Sequence, residues 1–298
     1  MSEKVASLDC IDKIVSHLEE NIPDLNKITP ILKQIEESDC NIIDHVNSFD
    51  SKKVSKIHIA TILGDCQLVQ DLIRNGSDVN SQTKRKITPL HLAVFFKRNE
   101  IVRILLENGA NCNIISDLYF GSPFHMAASE CGNLEAIKMM LKFEADLNSK
   151  NIHGSSALWS AILYRNVEIA KLLLKSGIQV NCDNSVKTYL YLAATMDNYE
   201  IIPDLLYHGA DLNRATLYYK ETPLHVAAKA CSLKAMNILM KNGASLTLKN
   251  ESGKVPLECC FKPHGPYPIQ LPIDPVTRIK FALRSLKTFV NNVHQHDL

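Results

Sequence analysis

The 298-residue sequence has almost no net charge, no long apolar run, no paired-cysteine spacing and none of the short motifs that mark common active sites. Each absence removes a class of function. A formal charge of +1 gives no global attraction to nucleic acid or to an anionic membrane. No stretch approaches the ~18 consecutive apolar residues of a membrane span. The opening MSEKVASLDCIDKIVSHLEE spreads its charges without a separate apolar core, unlike a secretory signal. Nine cysteines, an odd number, stand without C-x-x-C spacing, so buried reduced thiols in the cytoplasm or nucleus are expected rather than a disulfide framework. Cys259, Cys260 and His264 come nearest to a metal cluster, but no fourth ligand follows at finger spacing. G-x-S-x-G, the phosphate-binding G-x-x-x-x-G-K-S/T, H-E-x-x-H and a calcium loop are all missing. No catalytic group, metal or cofactor is therefore expected.

What is present is a globular composition, 46% hydrophobic and 22% charged, and a period. The third residue of a T-P-L-H pattern falls at Ile57, Leu90, Phe124, Leu158, Leu190, Leu224 and Leu257, in steps of 33, 34, 34, 32, 34 and 33. A second landmark follows about nineteen residues later: NGSDVN at 75–80, NGANCN at 108–113, FEADLN at 143–148, SGIQVN at 176–181, HGADLN at 208–213 and NGASLT at 242–247. Two landmarks that stay in step six times define a tandem array. Period 33 with T-P-L-H-x-A resembles the ankyrin repeat, over roughly residues 52–260. The fold implied is an all-α solenoid of helix-turn-helix units with hairpin-like turns.

The residues predict the same unit on physical grounds. Thr88 caps a helix through its hydroxyl, and Pro89 takes the first helical position, where a missing N–H is harmless. The short helix that follows carries Leu90, Leu92 and Ala93, its small alanines allowing close approach of a neighbour. Asn99 and Glu100 open a second helix with Ile101, Val102, Leu105 and Leu106 on one face, and Gly109 supplies a left-handed stop. Two departures predict strain. Glu144 replaces the stop glycine, and Pro203 lies one turn into a second helix. By resemblance, the histidines at 58, 91, 125 and 225 brace the capping residue and the next turn. Trp159 and Tyr191 take their place in repeats four and five, where packing is expected.

Three regions are expected. Residues 1–50 form a helical N-terminal cap, or a decayed repeat, with Leu8, Ile11, Ile14, Val15 and Leu18 on one helix and Leu25, Ile28, Ile31, Leu32 and Ile35 on another. Residues 51–260 hold about six repeats and a partial seventh. Residues 261–298 comprise a proline-rich link and an amphipathic helix from Pro275.

In the ankyrin family the variable positions are the turn tips and the pair after the first helix's alanines, which face a concave groove. The resemblance places Ile62-Leu63, Phe95-Phe96, Ser129-Glu130, Leu163-Tyr164, Thr195-Met196 and Lys229-Ala230 at those pairs. The row is apolar in repeats one, two and four, as a binding surface is. Two tips are aromatic and one residue longer than the basic pattern, 117–120 with Leu118, Tyr119 and Phe120, and 217–220 with Tyr218 and Tyr219. Another tip is basic, with Lys84 and Arg85. The expected partner-binding set is therefore Ile62, Leu63, Lys84, Arg85, Phe95, Phe96, Leu118, Tyr119, Phe120, Leu163, Tyr164, Met196, Tyr218 and Tyr219. The function implied is non-catalytic, a scaffold binding another protein, without nucleic acid or membrane, and a monomer. Alternatives are a substrate adaptor of a cullin-type ubiquitin ligase, its C-terminal SOCS-like box degenerate, and an NF-κB-inhibitor-like protein. Val290 at the expected cysteine slot speaks against the first, and the missing D-S-G-x-x-S motif against the second.

Overall fold

A computed structural model describes residues 13–18, 28, 30–32, 54–117, 121–181 and 188–261. Among them the regular structure is helical. In chain order the helices are α1 Lys56–Leu63, α2 Cys66–Arg74, α3 Pro89–Phe95, α4 Asn99–Glu107, α5 Pro123–Ala128 and α6 Leu134–Lys142. They continue with α7 Ala157–Leu163, α8 Val167–Lys175, α9 Tyr189–Thr195, α10 Ile202–Tyr207, α11 Pro223–Lys229 and α12 Leu233–Lys241. A 3-10 turn, Tyr199–Ile201, precedes α10, and another, Pro256–Phe261, follows α12.

The chain forms two compact units, Met1–Ser160 and Ala161–Leu298. In the first, α1, α3 and α5 stack as one layer, and α2, α4 and α6 as a second. In the second, α9 packs on α11, α11 on the Pro256–Phe261 turn, and α10 lies between α8 and α12. Isolated helices of six to nine residues are too short to hold themselves together in water, so packing sustains them. On α4, Ile101, Val102, Leu105 and Leu106 are at most 2% exposed, each contributing about 2 kcal/mol of burial that needs a neighbouring repeat.

The helix starts follow the sequence. Thr88 Oγ1 accepts the His91 N–H with Pro89 in the first turn, and Ser122 does the same for His125 before Pro123. One alanine per repeat sets the turn between the helices. Ala60, Ala93, Ala127, Ala161, Ala193 and Ala227 are fully buried. Their carbonyls accept the N–H of Asp65, Arg98, Asn133, Asn166, Asn198 and Ser232, at 2.8–3.3 Å. Repeat three carries its extra residue inside this turn without losing that bond: Gly132 takes φ 55, and Asn133 still reaches Ala127 at 2.9 Å.

Successive repeats are also pinned by one asparagine each. Asn80 Nδ2 donates to Gly109 O at 3.0 Å while its Oδ1 accepts the Asn111 N–H at 2.7 Å. Asn113 bonds Glu144 O and the Asp146 N–H in the same way, and Asn181 bonds Gly209 O and the Asp211 N–H.

Both expected departures are visible. Glu144 adopts φ 55 where Gly76, Gly109, Gly177, Gly209 and Gly243 adopt 84–87. Pro203 sits in the first turn of a six-residue α10 preceded by the 3-10 turn, whereas the other second helices run nine residues as unbroken α-helix. Near the N-terminus, residues 13–18 are helical, and Ile14, Leu18, Ile28, Ile31 and Leu32 are buried, as their apolar spacing predicts. Leu8, Ile11, Leu25, Ile35 and the helix expected after Pro275 lie outside the described residues.

Candidate partner-binding surface

The histidines are consumed by the frame. Thr88 N–H donates to His91 Nδ1 at 3.1 Å, so that nitrogen is bare, and the opposite Nε2–H donates to Gly121 O at 3.0 Å. His225 repeats the arrangement between Thr222 N–H and Lys254 O, at 3.2 and 3.0 Å. His58 joins Ser55 to Ile87 O, and His125 joins Ser122 to Ser149 O. Burial holds all four below the usual imidazole range, His58 and His91 down to about 4. Both ring nitrogens being engaged, none is free to act as a general base. Burial also pushes the thiols of Cys66, Cys112 and Cys259 up, and those of Cys131 and Cys260 to about 11, which keeps them protonated and poorly nucleophilic. Among the described residues no group of three His, Cys, Asp or Glu is placed to hold a metal ion.

The variable positions differ in how far they stand out of this frame. In the first unit the pair of repeat one is divided. Ile62 is fully buried and belongs to the core, a correction to its expected place on the surface. Arg98 of the next repeat lies across the end of α1. Its Nη2 donates to Ile62 O at 3.4 Å, and its guanidinium fills the space where a Gly64 Cβ would stand, 2.8 Å away. Leu63 remains half-buried. At the equivalent place after α3 the covering residue is the shorter Asn133, whose Nδ2 reaches Val94 O at 3.5 Å. Phe95 and Phe96 stay half-buried there, packed edge to face on one another at 5.1 Å and 81°. Ser129 is buried, its hydroxyl bonded to Met126 O, and Glu130 is exposed.

The basic tip is held by its own turn. Thr83 N–H donates to Ile87 O at 3.0 Å, Lys86 takes φ 57, and Asp117 N–H donates to Arg85 O at 2.9 Å. Lys86 also pairs with Asp117 at 3.1 Å. Lys84 is exposed and Arg85 half-buried. Leu118, Tyr119 and Phe120 lie outside the described residues.

In the second unit Leu163, Tyr164, Thr195 and Met196 are half-buried. The tip is more open: Leu217, Tyr218 and Tyr219 are 72%, 66% and 61% exposed. It is anchored on both sides, because Thr216 exchanges backbone bonds with Glu221 and Lys220, and Glu251 N–H donates to Tyr219 O at 2.9 Å. Lys220 closes the turn at φ 49 and pairs with Glu251 at 3.3 Å. Exposed apolar residues that escaped the sequence reading include Tyr207 at the end of α10, Ile152 on a tip and Phe143 beside Glu144. Each stands next to a helix stop or in a turn, where periodicity carries no information about burial.

A family model described as ankyrin repeats (3 copies) matches residues 57–151, 124–216 and 187–250, together more than half of the chain. The chain belongs to the ankyrin-repeat family. Other ankyrin-repeat proteins similar to it include the chicken nuclear factor NF-kappa-B p105 subunit, 32% identical over 218 residues, covering 71% of this chain and 18% of that protein. The rabbit ankyrin repeat and SOCS box protein 5 is 38% identical over 84 residues, 28% of this chain and 25% of that protein. The chain spans about a quarter or less of the first curated relatives it matches. The crystal structure of the human ASB11 ankyrin repeat domain shares the fold, with TM-score 0.61, 24% identity, and coverage of 76% of this chain and 98% of that one. The ankyrin repeat domain of Bcl-3, described as a unique member of the IkappaB protein family, matches with TM-score 0.60 and 27% identity over 67% and 91% of the two chains. Among the described residues no helix is long and apolar enough to cross a membrane.

Proposed function

We propose that this chain is a protein-binding scaffold, its frame supplied by the repeats and its specificity by the tips and the pairs that follow the first helices. The observation that carries this reading is the tip 217–219. Three consecutive large side chains stand mostly in solvent on a turn whose backbone is bonded on both sides. Rigid tyrosines lose little conformational freedom on binding, which makes them efficient anchors. Tagged protein purified from its own cells, compared with Tyr218→Ala/Tyr219→Ala, is the test. The variant is expected to lose at least about tenfold in affinity for the captured partner, as removal of one anchor worth ~2 kcal/mol implies, with melting unchanged. Equal affinity would remove the reading.

The relatives supply two candidate settings: a SOCS-box protein suggests ligase recruitment, and p105 and Bcl-3 suggest transcription-factor binding. The same purification separates them. Stoichiometric elongin and cullin subunits would identify an adaptor, and a captured Rel-type factor an inhibitor. The segment 261–298 in which an adaptor box is expected lies, after Phe261, outside the described residues.

A further inference from the structure

Building on the reading of this chain as a protein binder, we propose that the first unit receives an acidic, extended peptide segment. Two large apolar side chains of that segment seat on Phe95, Phe96 and Leu63. Its acids are held by cations at the two ends of α3.

The apolar part rests on geometry. Val94 is fully buried, but the chain after it turns outward, so Phe95 and Phe96 cover each other instead of entering the core. They sit on the middle first helix of this unit, α3, which packs between α1 and α5. Leu63, half-buried, ends the neighbouring α1. A ligand that lies across these ends therefore meets apolar surface from two adjacent repeats.

The acidic part rests on charge. Lys84 and Arg85 precede the cap Thr88 of α3, and Lys97 follows Phe96, Arg98 being turned onto Ile62 O. Asp117 is taken up by Lys86 and Asp65 caps α2 through the Leu68 N–H, which leaves Glu130 as the exposed acid of the adjoining turns. Lys84 and Lys97 are exposed, and neither joins a carboxylate within ion-pair distance among the described residues. Lys97 is held at φ 55 by the turn, so its position is fixed beside the phenylalanines. A basic segment would be repelled, and a neutral one would leave Lys84 and Lys97 unmatched.

The separation sets the pattern. The seven residues of α3 rise about 10 Å, the reach of about three extended residues. In extended chain, side chains two apart share a face. The expected motif is an acid, then about three residues later two apolar residues at i and i+2, then a further acid.

A fluorescein-labelled peptide, Gly-Asp-Glu-Gly-Ser-Leu-Ser-Phe-Glu-Asp-Gly, tests this by anisotropy with the full chain at low and high salt. Three competitors accompany it: the same peptide with lysine for every acid, the same with serine for Leu and Phe, and an oligouridine RNA. The acidic apolar peptide should bind at least about tenfold tighter than either altered peptide, and severalfold more weakly at high salt. Phe95→Ala/Phe96→Ala and the exposed-site variant Lys84→Glu/Lys97→Glu should each weaken it at least about fivefold, the second without change in melting. Equal binding of the lysine or the serine peptide, tighter binding of the RNA, or indifference to both variants would overturn the proposal. If it is overturned while Tyr218→Ala/Tyr219→Ala still releases the cellular partner, the scaffold reading stands and only the acidic chemistry is withdrawn.

Discussion

Glu144 is the residue at which sequence and conformation conflict most plainly. Its φ of 55 repeats the left-handed geometry that glycine supplies at the other helix stops. A side chain there costs about 1 kcal/mol, while its carbonyl still serves Asn113 Nδ2 at 3.1 Å. Glu144→Gly is therefore expected to stabilise the protein by about 0.5–1 kcal/mol, the gain being reduced by the freedom glycine gives the unfolded chain. A urea midpoint that falls instead would show that the glutamate side chain contributes to the fold. This position was legible because five other repeats print glycine there. A second set of left-handed residues was not: Lys97, Arg165, Asp197 and Cys231 turn one helix into the next at φ 52–58. Four residue types besides glycine share that site, so composition hides it, and Gly64 and Gly132 in repeats one and three were the hints. Ile62 misled for a related reason, since its spacing gives it the same place as Phe95 and yet it is fully buried.

At the scale of elements, helix starts were legible because threonine or serine before proline has few other uses. Pro203 was legible as a disturbance but not as a solution. The chain keeps nine residues between the caps by spending the first three in a 3-10 turn. That turn tolerates the missing N–H, and Ile201, Ile202 and Leu205 remain fully buried. Pro203→Ala restores a donor, allows α-helix from Tyr199, and is expected to raise stability by about 1 kcal/mol. Calorimetry checks it. A lower melting temperature would mean that the 3-10 turn is required by what packs on it. The candidate surface was half legible: the tip 217–220 was marked by its length and composition and the tip 83–86 by its charge, whereas the pairs differ in burial despite equal spacing.

For the whole molecule the histidines act together. Their folded pKa values lie below the unfolded value of 6.5, to about 4 for His58 and His91. The unfolded chain therefore takes up protons first as pH falls. Stability from this source is complete above pH 6.5 and is lost between 6.5 and about 4. Between pH 7.5 and 5.5 the expected loss is about 1.4 kcal/mol for each of these two groups, with smaller additions from His125 and His225. Urea melts at the two pH values measure it, and His91→Gln should flatten the dependence. A pH-independent midpoint would mean that these imidazoles are not held neutral. Each ring joins a cap to the following turn, so acid loosens the joints between repeats before it reaches any one helix.

The asparagine bridges set a ruler. Asn80, Asn113 and Asn181 each stand four residues beyond a helix stop and grasp the same two groups in the next repeat. A residue added or removed inside that interval breaks both bonds, so length variation is confined to the tips and to the turn between helices. Repeat three carries its insertion in that turn, and the segments 117–120 and 217–220 carry theirs at the tips. Those are also the parts where the proposed partner contacts lie. New specificities can therefore be written by exchanging tip segments, Leu217 to Lys220 among them, while the count that holds the array in register goes unread by selection for binding.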